Sequence, residues 1–172
     1  MNAHLSSPSK NRNSLGDISV LYVSALLRAA EAEGASSAEL ASRFQLDHQT
    51  LTSPEARISI PRFMRLGHAA INETGNPALG LRMGALSRPV DAGIAGLAGE
   101  TAGTTGAALA TLIRYALLTS RNSRGVPTVQ PETRQAKFYS IRPYNGFNYF
   151  VVDSVLAAWT QFLRTVTGRY DV

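Results

Sequence analysis

Apolar residues recur along most of this chain at three- and four-residue intervals, the spacing of helices that bury one face. In "DISVLYVSALLRAAEAEG", Ile18, Leu21, Tyr22, Ala25, Leu26 and Ala29 fall on one side of a helix, with Asp17 placed to cap its start and Gly34 to end it. "SSAELASRF" predicts a short second helix, capped by Ser36 or Ser37, with Glu39 in position for a capping box. From Ser59, with Pro61 in the first turn, "IPRFMRLGHAAINETG" predicts an amphipathic helix that buries Phe63, Leu66, Ala70 and Ile71. "GAALATLIRYALLTS" carries Leu109, Leu112, Ile113, Ala116 and Leu117 at the same spacing. "VVDSVLAAWTQFLRTVTG" carries Val152, Val155, Leu156, Trp159, Phe162, Leu163 and Val166, and ends at Gly168. The regularity of that last stripe assigns Trp159 to the core.

One stretch departs from the helical period. "GVPTVQPETRQAKFYSIRPYNGFNYFV" mixes proline, glycine, β-branched and aromatic residues, as short antiparallel strands do, with "YNGF" a candidate hairpin turn. Helices, then a small sheet, then a helix make an α+β fold: a mostly helical N-terminal part packed with a small antiparallel sheet and a long C-terminal helix. Residues 1–16 are polar and predict a flexible tail, leaving 17–172 as a single domain long enough for its own core.

Composition narrows the function. With 44% hydrophobic and 17% charged residues the chain is suited to a folded core. The net charge of +5 is almost all arginine, since only Lys10 and Lys137 are lysines. The arginines are scattered from Arg12 to Arg169 without a basic run, so charge alone does not specify nucleic-acid binding. Residues 38–57 imitate a helix-turn-helix, but Pro54 breaks the second helix after about two turns and leaves a plain surface helix pair as the better reading. The absence of cysteine excludes disulfides and thiolate metal sites. No stretch has the form of a signal sequence or the roughly 18 apolar residues of a membrane span, so a cytoplasmic protein without membrane attachment is expected.

Glycines crowd residues 75–106, at Gly75, Gly80, Gly84, Gly93, Gly96, Gly99, Gly103 and Gly106. None is followed by the Lys-Ser/Thr pair of a phosphate loop, and "GIAGLAGETAG" has neither the spacing nor the preceding strand of a dinucleotide fingerprint. Their Ala, Leu and Thr neighbours suit helices in close contact, a seam between the N-terminal helices and the one ending at Arg114 and Tyr115. His4, His48 and His68 form no metal-ligand pair, Glu31 and Glu33 lie on different faces of one helix, and no G-x-S-x-G elbow occurs. The expectation is a protein that is not an enzyme, with no catalytic residue, metal or cofactor.

"NPALGLRMGALSRPVDAGIAGLAGETAGTTGAALATLIRYALL" resembles the N-terminal effector-binding and dimerisation domain of AraC/XylS-type transcription regulators, in the branch labelled arabinose-binding-like. The likeness is in order as well as content: "NPALGLRMG" at 76–84, "GIAGLAGETAGTTGAAL" at 93–109 and "RY" at 114–115, preceded by "LLRAAEAEG" and "LTSPEARISIPRFMRL". It covers about 18 to 168. The resemblance implies a cytoplasmic regulator that binds a small-molecule effector, forms a homodimer, and meets promoter DNA through a C-terminal domain with two helix-turn-helix motifs. Residues 1–172 would lack that domain and the end of the effector domain. The alternative is a free-standing small-molecule-binding or protein-interaction domain without DNA binding.

The branch name does not make arabinose the ligand. A sugar site favours aromatic platforms with convergent carboxylates and amides, whereas a fatty or aromatic effector favours an apolar cavity with one arginine at its mouth. This sequence offers aromatics and arginines more readily than acids. Arg114, Tyr115, Phe138, Tyr139, Arg142 and Phe147 are the candidate ligand-binding residues, in a pocket between the sheet and the surrounding helices. Simple filling of the core is the competing role for each aromatic.

Overall fold

Ser19 decides where the first helix begins. Its backbone is extended and its hydroxyl accepts from the Leu21 amide at 3.3 Å, so helix α1 spans Val20–Ala32. Asp17 is therefore not the cap. It lies in a strand, β1 (Gly16–Ser19), which pairs antiparallel on one side with β2 (Arg57–Ser59) and on the other with β3 (Ser120–Asn122). Both neighbours are three residues long and carry little apolar alternation, so this sheet leaves almost no periodic trace in the sequence. Arg57 fixes it by ion-pairing with Asp17 and by donating to the Leu118 carbonyl at 2.9 Å.

The computed structural model describes residues 15–122, 125–140, 145–146 and 148–172. After α1 come α2 (Ser37–Arg43), capped by Ser36 onto the Glu39 amide, and α3 (His48–Thr52), capped by Asp47 onto the Thr50 amide. Helix α3 is five residues long and buries none of them, which fits the surface-pair reading of the segment before Pro54. Helix α4 (Ile60–Thr74) buries Phe63, Leu66, Gly67 and Ala70 and ends at a left-handed Gly75, while Ile71 is only partly buried. There follow α5 (Leu79–Ala85), a 3-10 turn at Pro89–Ala92, α6 (Ile94–Glu100) and α7 (Thr105–Arg114). The helical period predicted through Leu117 stops at Arg114. Residues Ala116–Leu118 tighten into a 3-10 turn that feeds β3, and Leu117 points outward, 65% exposed.

The predicted hairpin is present as β4 (Gly125–Gln130) paired antiparallel with β5 (Gln135–Ser140). It turns at Pro131–Arg134, where Arg134 takes a left-handed conformation, rather than at "YNGF". Within that tetrapeptide Asn145 and Gly146 stand just ahead of the last helix, and Tyr144 and Phe147 lie outside the described residues. The last helix, α8 (Tyr149–Thr167), ends at a left-handed Gly168. Helices, two small antiparallel sheets and a long C-terminal helix make the fold α+β.

Two apolar clusters fill it. The larger joins α1, α2, α4 and α5 around Leu26, Leu40, Leu66 and Leu79, and takes in Phe150 at the head of α8, whose ring lies 5.8 Å from that of Phe63. The smaller gathers Ala95, Ala108, Leu112 and Phe162, with Trp159 packed against it. The glycine-rich segment binds α8 to both. A Cβ on Gly80 would stand 2.3 Å from the Phe150 carbonyl oxygen, one on Gly84 would stand 2.4 Å from Ala157 Cβ, and one on Gly99 would stand 2.6 Å from the Phe162 ring. The seam is real, but its main partner is α8 rather than the helix of Arg114, because α8 has the small residues Ser154, Ala157 and Ala158 where α5 must approach. Gly103 and Gly106, by contrast, face open space.

Candidate functional site

Between the two clusters a cavity of about 150 Å³ remains unfilled. Helix α8 supplies one wall: Val151, Ser154, Val155, Ala158, Trp159 and Phe162 repeat at intervals of three and four residues and all face the cavity. The predicted apolar stripe of α8 is thus rotated on the real helix. Leu156 is exposed and the polar Ser154 is buried, its hydroxyl donating to the Val151 carbonyl at 2.8 Å. Trp159 is partly buried and has two roles, packing on the smaller cluster and lining the cavity.

The opposite walls come from Ile18 of β1, Tyr22 and Ala25 of α1, Phe63 and Met64 of α4, and Met83 of α5. Pro127 and Phe138, directly opposed across the β4–β5 hairpin, close a further side. Exposed Arg88 and Leu117 stand at the rim. Most of this lining is apolar, and among the described residues Asp91 is the one carboxylate that contributes.

Asp91 is 5% exposed, and its charge is fully engaged. Arg28 of α1 reaches one carboxylate oxygen at 2.5 Å, which also accepts from the Arg88 amide at 2.8 Å, while the Arg88 guanidinium lies 3.1 Å from the other. The carboxylate therefore caps the 3-10 turn and ties it to α1. A second polar feature is a pair of hydroxyls: Tyr22 Oη lies 3.1 Å from Thr119 Oγ1, and Thr119 is itself buried.

Burial raises the Tyr22 phenol above its ordinary pKa of about 10, outweighing the lowering by the Thr119 hydrogen bond and the Arg57 guanidinium, and Asp91 raises it further. The folded chain thus keeps this proton to a higher pH than the unfolded chain. Its contribution to stability is complete below about pH 10 and declines as pH rises from there through the folded value. In urea unfolding across about pH 9 to 11, wild type should lose stability more steeply than Tyr22→Phe, which has no proton to lose at this position. Parallel profiles would contradict the assignment.

Of the residues predicted from sequence, Phe138 lines the cavity. Arg114 and Tyr115 lie at the end of α7, exposed and outside the lining. Tyr139 sits in β5 opposite Val126. Arg142 and Phe147 lie outside the described residues. Sequence reasoning missed Tyr22, Asp91, Thr119 and Ser154. Their signal was a polar group interrupting an apolar face, and for Asp91 the three-residue spacing from Arg88 ahead of a proline turn.

Residues 34–172 match the family model described as the arabinose-binding domain of AraC transcription regulator, N-terminal. The chain belongs to this family. It therefore contains the ligand-binding regulatory domain of an AraC-type regulator, and the cavity lies within the matched region apart from Ile18, Tyr22 and Ala25. A comparison with curated proteins found no match. Among the described residues of this AraC-type domain, no helix is long and apolar enough to cross a membrane, and no cluster of His, Asp or Glu is arranged to hold a metal ion.

Proposed function

We propose that the cavity between α8 and α1 is the effector site of a cytoplasmic transcription regulator, and that its occupant biases a DNA-binding domain not present in residues 1–172. The observation that carries this reading is where the cavity sits. It touches both apolar clusters and the hairpin, so a bound molecule alters how α8, α6–α7 and the hairpin pack, and an occupant held better by one packing shifts the population toward it.

The site is a receptor and not a catalyst in this proposal. Asp91, the acid in its wall, has both oxygens engaged by two arginines and a backbone amide, a structural arrangement that ties the Pro89–Ala92 turn to α1. The wall favours an effector that is largely apolar over a sugar, which would call on several convergent carboxylates and amides. The domain acts as a homodimer in this reading, supported by Ile94 and Leu97, one turn apart on α6 and 70% and 46% exposed. The effector assignment is tested at Met64 and Met83, which line the cavity: small apolar molecules titrated into the chain should move their methyl resonances.

A further inference from the structure

The polar and apolar parts of the cavity together define a narrower class of ligand, an inference that rests on the effector-site reading above. Its space, about 150 Å³, is that of a single ring: apolar protein cavities of about this size hold a benzene molecule. Phe63, Met83, Phe138, Trp159 and Phe162 supply the surface for such a ring.

Charge argues against an ionised ligand. Asp91 is held by Arg28, the Arg88 guanidinium and the Arg88 amide, so an incoming carboxylate that reached the Arg88 fork would be set beside the Asp91 charge, and an incoming cation would have to compete with two guanidiniums. The hydroxyl pair offers what an uncharged ligand needs. Thr119 Oγ1 has the Ala116 carbonyl 3.3 Å away to receive its single proton, and Tyr22 Oη, 3.1 Å distant, can then donate its own to Thr119 Oγ1. That chain of donors leaves the lone pairs of the Tyr22 oxygen to accept a proton from a molecule in the cavity.

We propose that the site takes an uncharged, one-ring molecule bearing a hydroxyl, with the ring among the aromatic and methionine side chains and the hydroxyl donating to Tyr22 Oη. Tyr22 and Thr119 are then specificity-determining residues, and Asp91 with its arginines is the feature that keeps charged analogues out.

The test uses the whole chain and four matched probes: phenol, anisole, toluene and benzoate, with affinities read by ligand-observed NMR. Phenol should bind at least about fivefold tighter than anisole or toluene, the scale of one net hydrogen bond. Tyr22→Phe should remove that preference, so that phenol, anisole and toluene bind the variant alike, and Thr119→Val, which leaves the Tyr22 hydroxyl without its partner, should reduce it. Equal binding of phenol and toluene to wild type would overturn the hydroxyl anchor and leave the effector cavity standing. Tightest binding by benzoate, insensitive to Tyr22→Phe, would overturn it in favour of an anchor at Arg88. Failure of all four probes to reach the cavity would overturn the inference and count against the effector-site reading as well. The probe series on wild type decides the matter even if a variant does not fold.

Discussion

Gly84→Val is expected to destabilise the domain by about 3 kcal/mol, the upper end of the range for overpacking a tight interior. The added Cβ would stand 2.4 Å from Ala157 Cβ and 2.7 Å from both the Ala158 nitrogen and the Ser154 oxygen. Two of these three neighbours are helix backbone, which cannot swing aside as a side chain can, so α5 and α8 must separate. Replacing glycine in a helix normally returns up to about 1 kcal/mol, and here that gain is too small to offset the clash. Gly103→Ala is the control, since a Cβ there meets nothing within 4 Å. Urea unfolding should show a large loss for the first and little change for the second. Equal behaviour of the two would mean that α5 and α8 do not touch as described.

Asp91→Ala should cost about 2 kcal/mol. Breaking a fully buried ion pair by removing one partner costs about 3–5 kcal/mol, because the remaining charge is stranded. Arg28 and Arg88 here are 34% and 60% exposed, so water recovers part of their charge and the loss is smaller. The variant also loses the acceptor for the Arg88 amide and with it the cap of the Pro89–Ala92 turn. Unfolding midpoints of Asp91→Ala and Arg28→Ala, with the double variant, measure the coupling. Strict additivity would show that the pair does not act as a unit.

These two sites show how far the sequence was legible. Helices α1, α4 and α8 were readable because each pairs a run of apolar residues at helical spacing with its own stop signal, Gly34, Gly75 and Gly168, whereas α3, α5 and α6, of five to seven residues, are too short to show such a stripe. The sheet of β1, β2 and β3 was not, since strands of three or four residues give too few alternations to register, and Ile18 reads equally well as the first turn of a helix. The glycine seam was visible as composition, but its partner was not, because closeness to α8 depends on the paired small residues Ser154, Ala157 and Ala158, far away in sequence.

The cavity was the least legible feature. Aromatic clustering pointed to the hairpin and to Phe138, but most of the wall consists of ordinary core residues, such as Met83 and Phe162, that happen to face unfilled space. Tyr22 occupied an apolar stripe and read as core. Its hydroxyl acquires meaning only when Thr119, 97 residues away in sequence, is brought to 3.1 Å.

The central claim, that this space receives a small molecule, is tested most directly at the methionines. The chain has three: Met64 and Met83 line the cavity, and Met1, at the start of the chain, serves as the reference. In a methyl-carbon-labelled sample titrated with phenol, the Met64 and Met83 signals should move together along one saturable curve while Met1 stays fixed. Uniform small shifts of all three signals, or no saturable movement at Met64 and Met83, would contradict it.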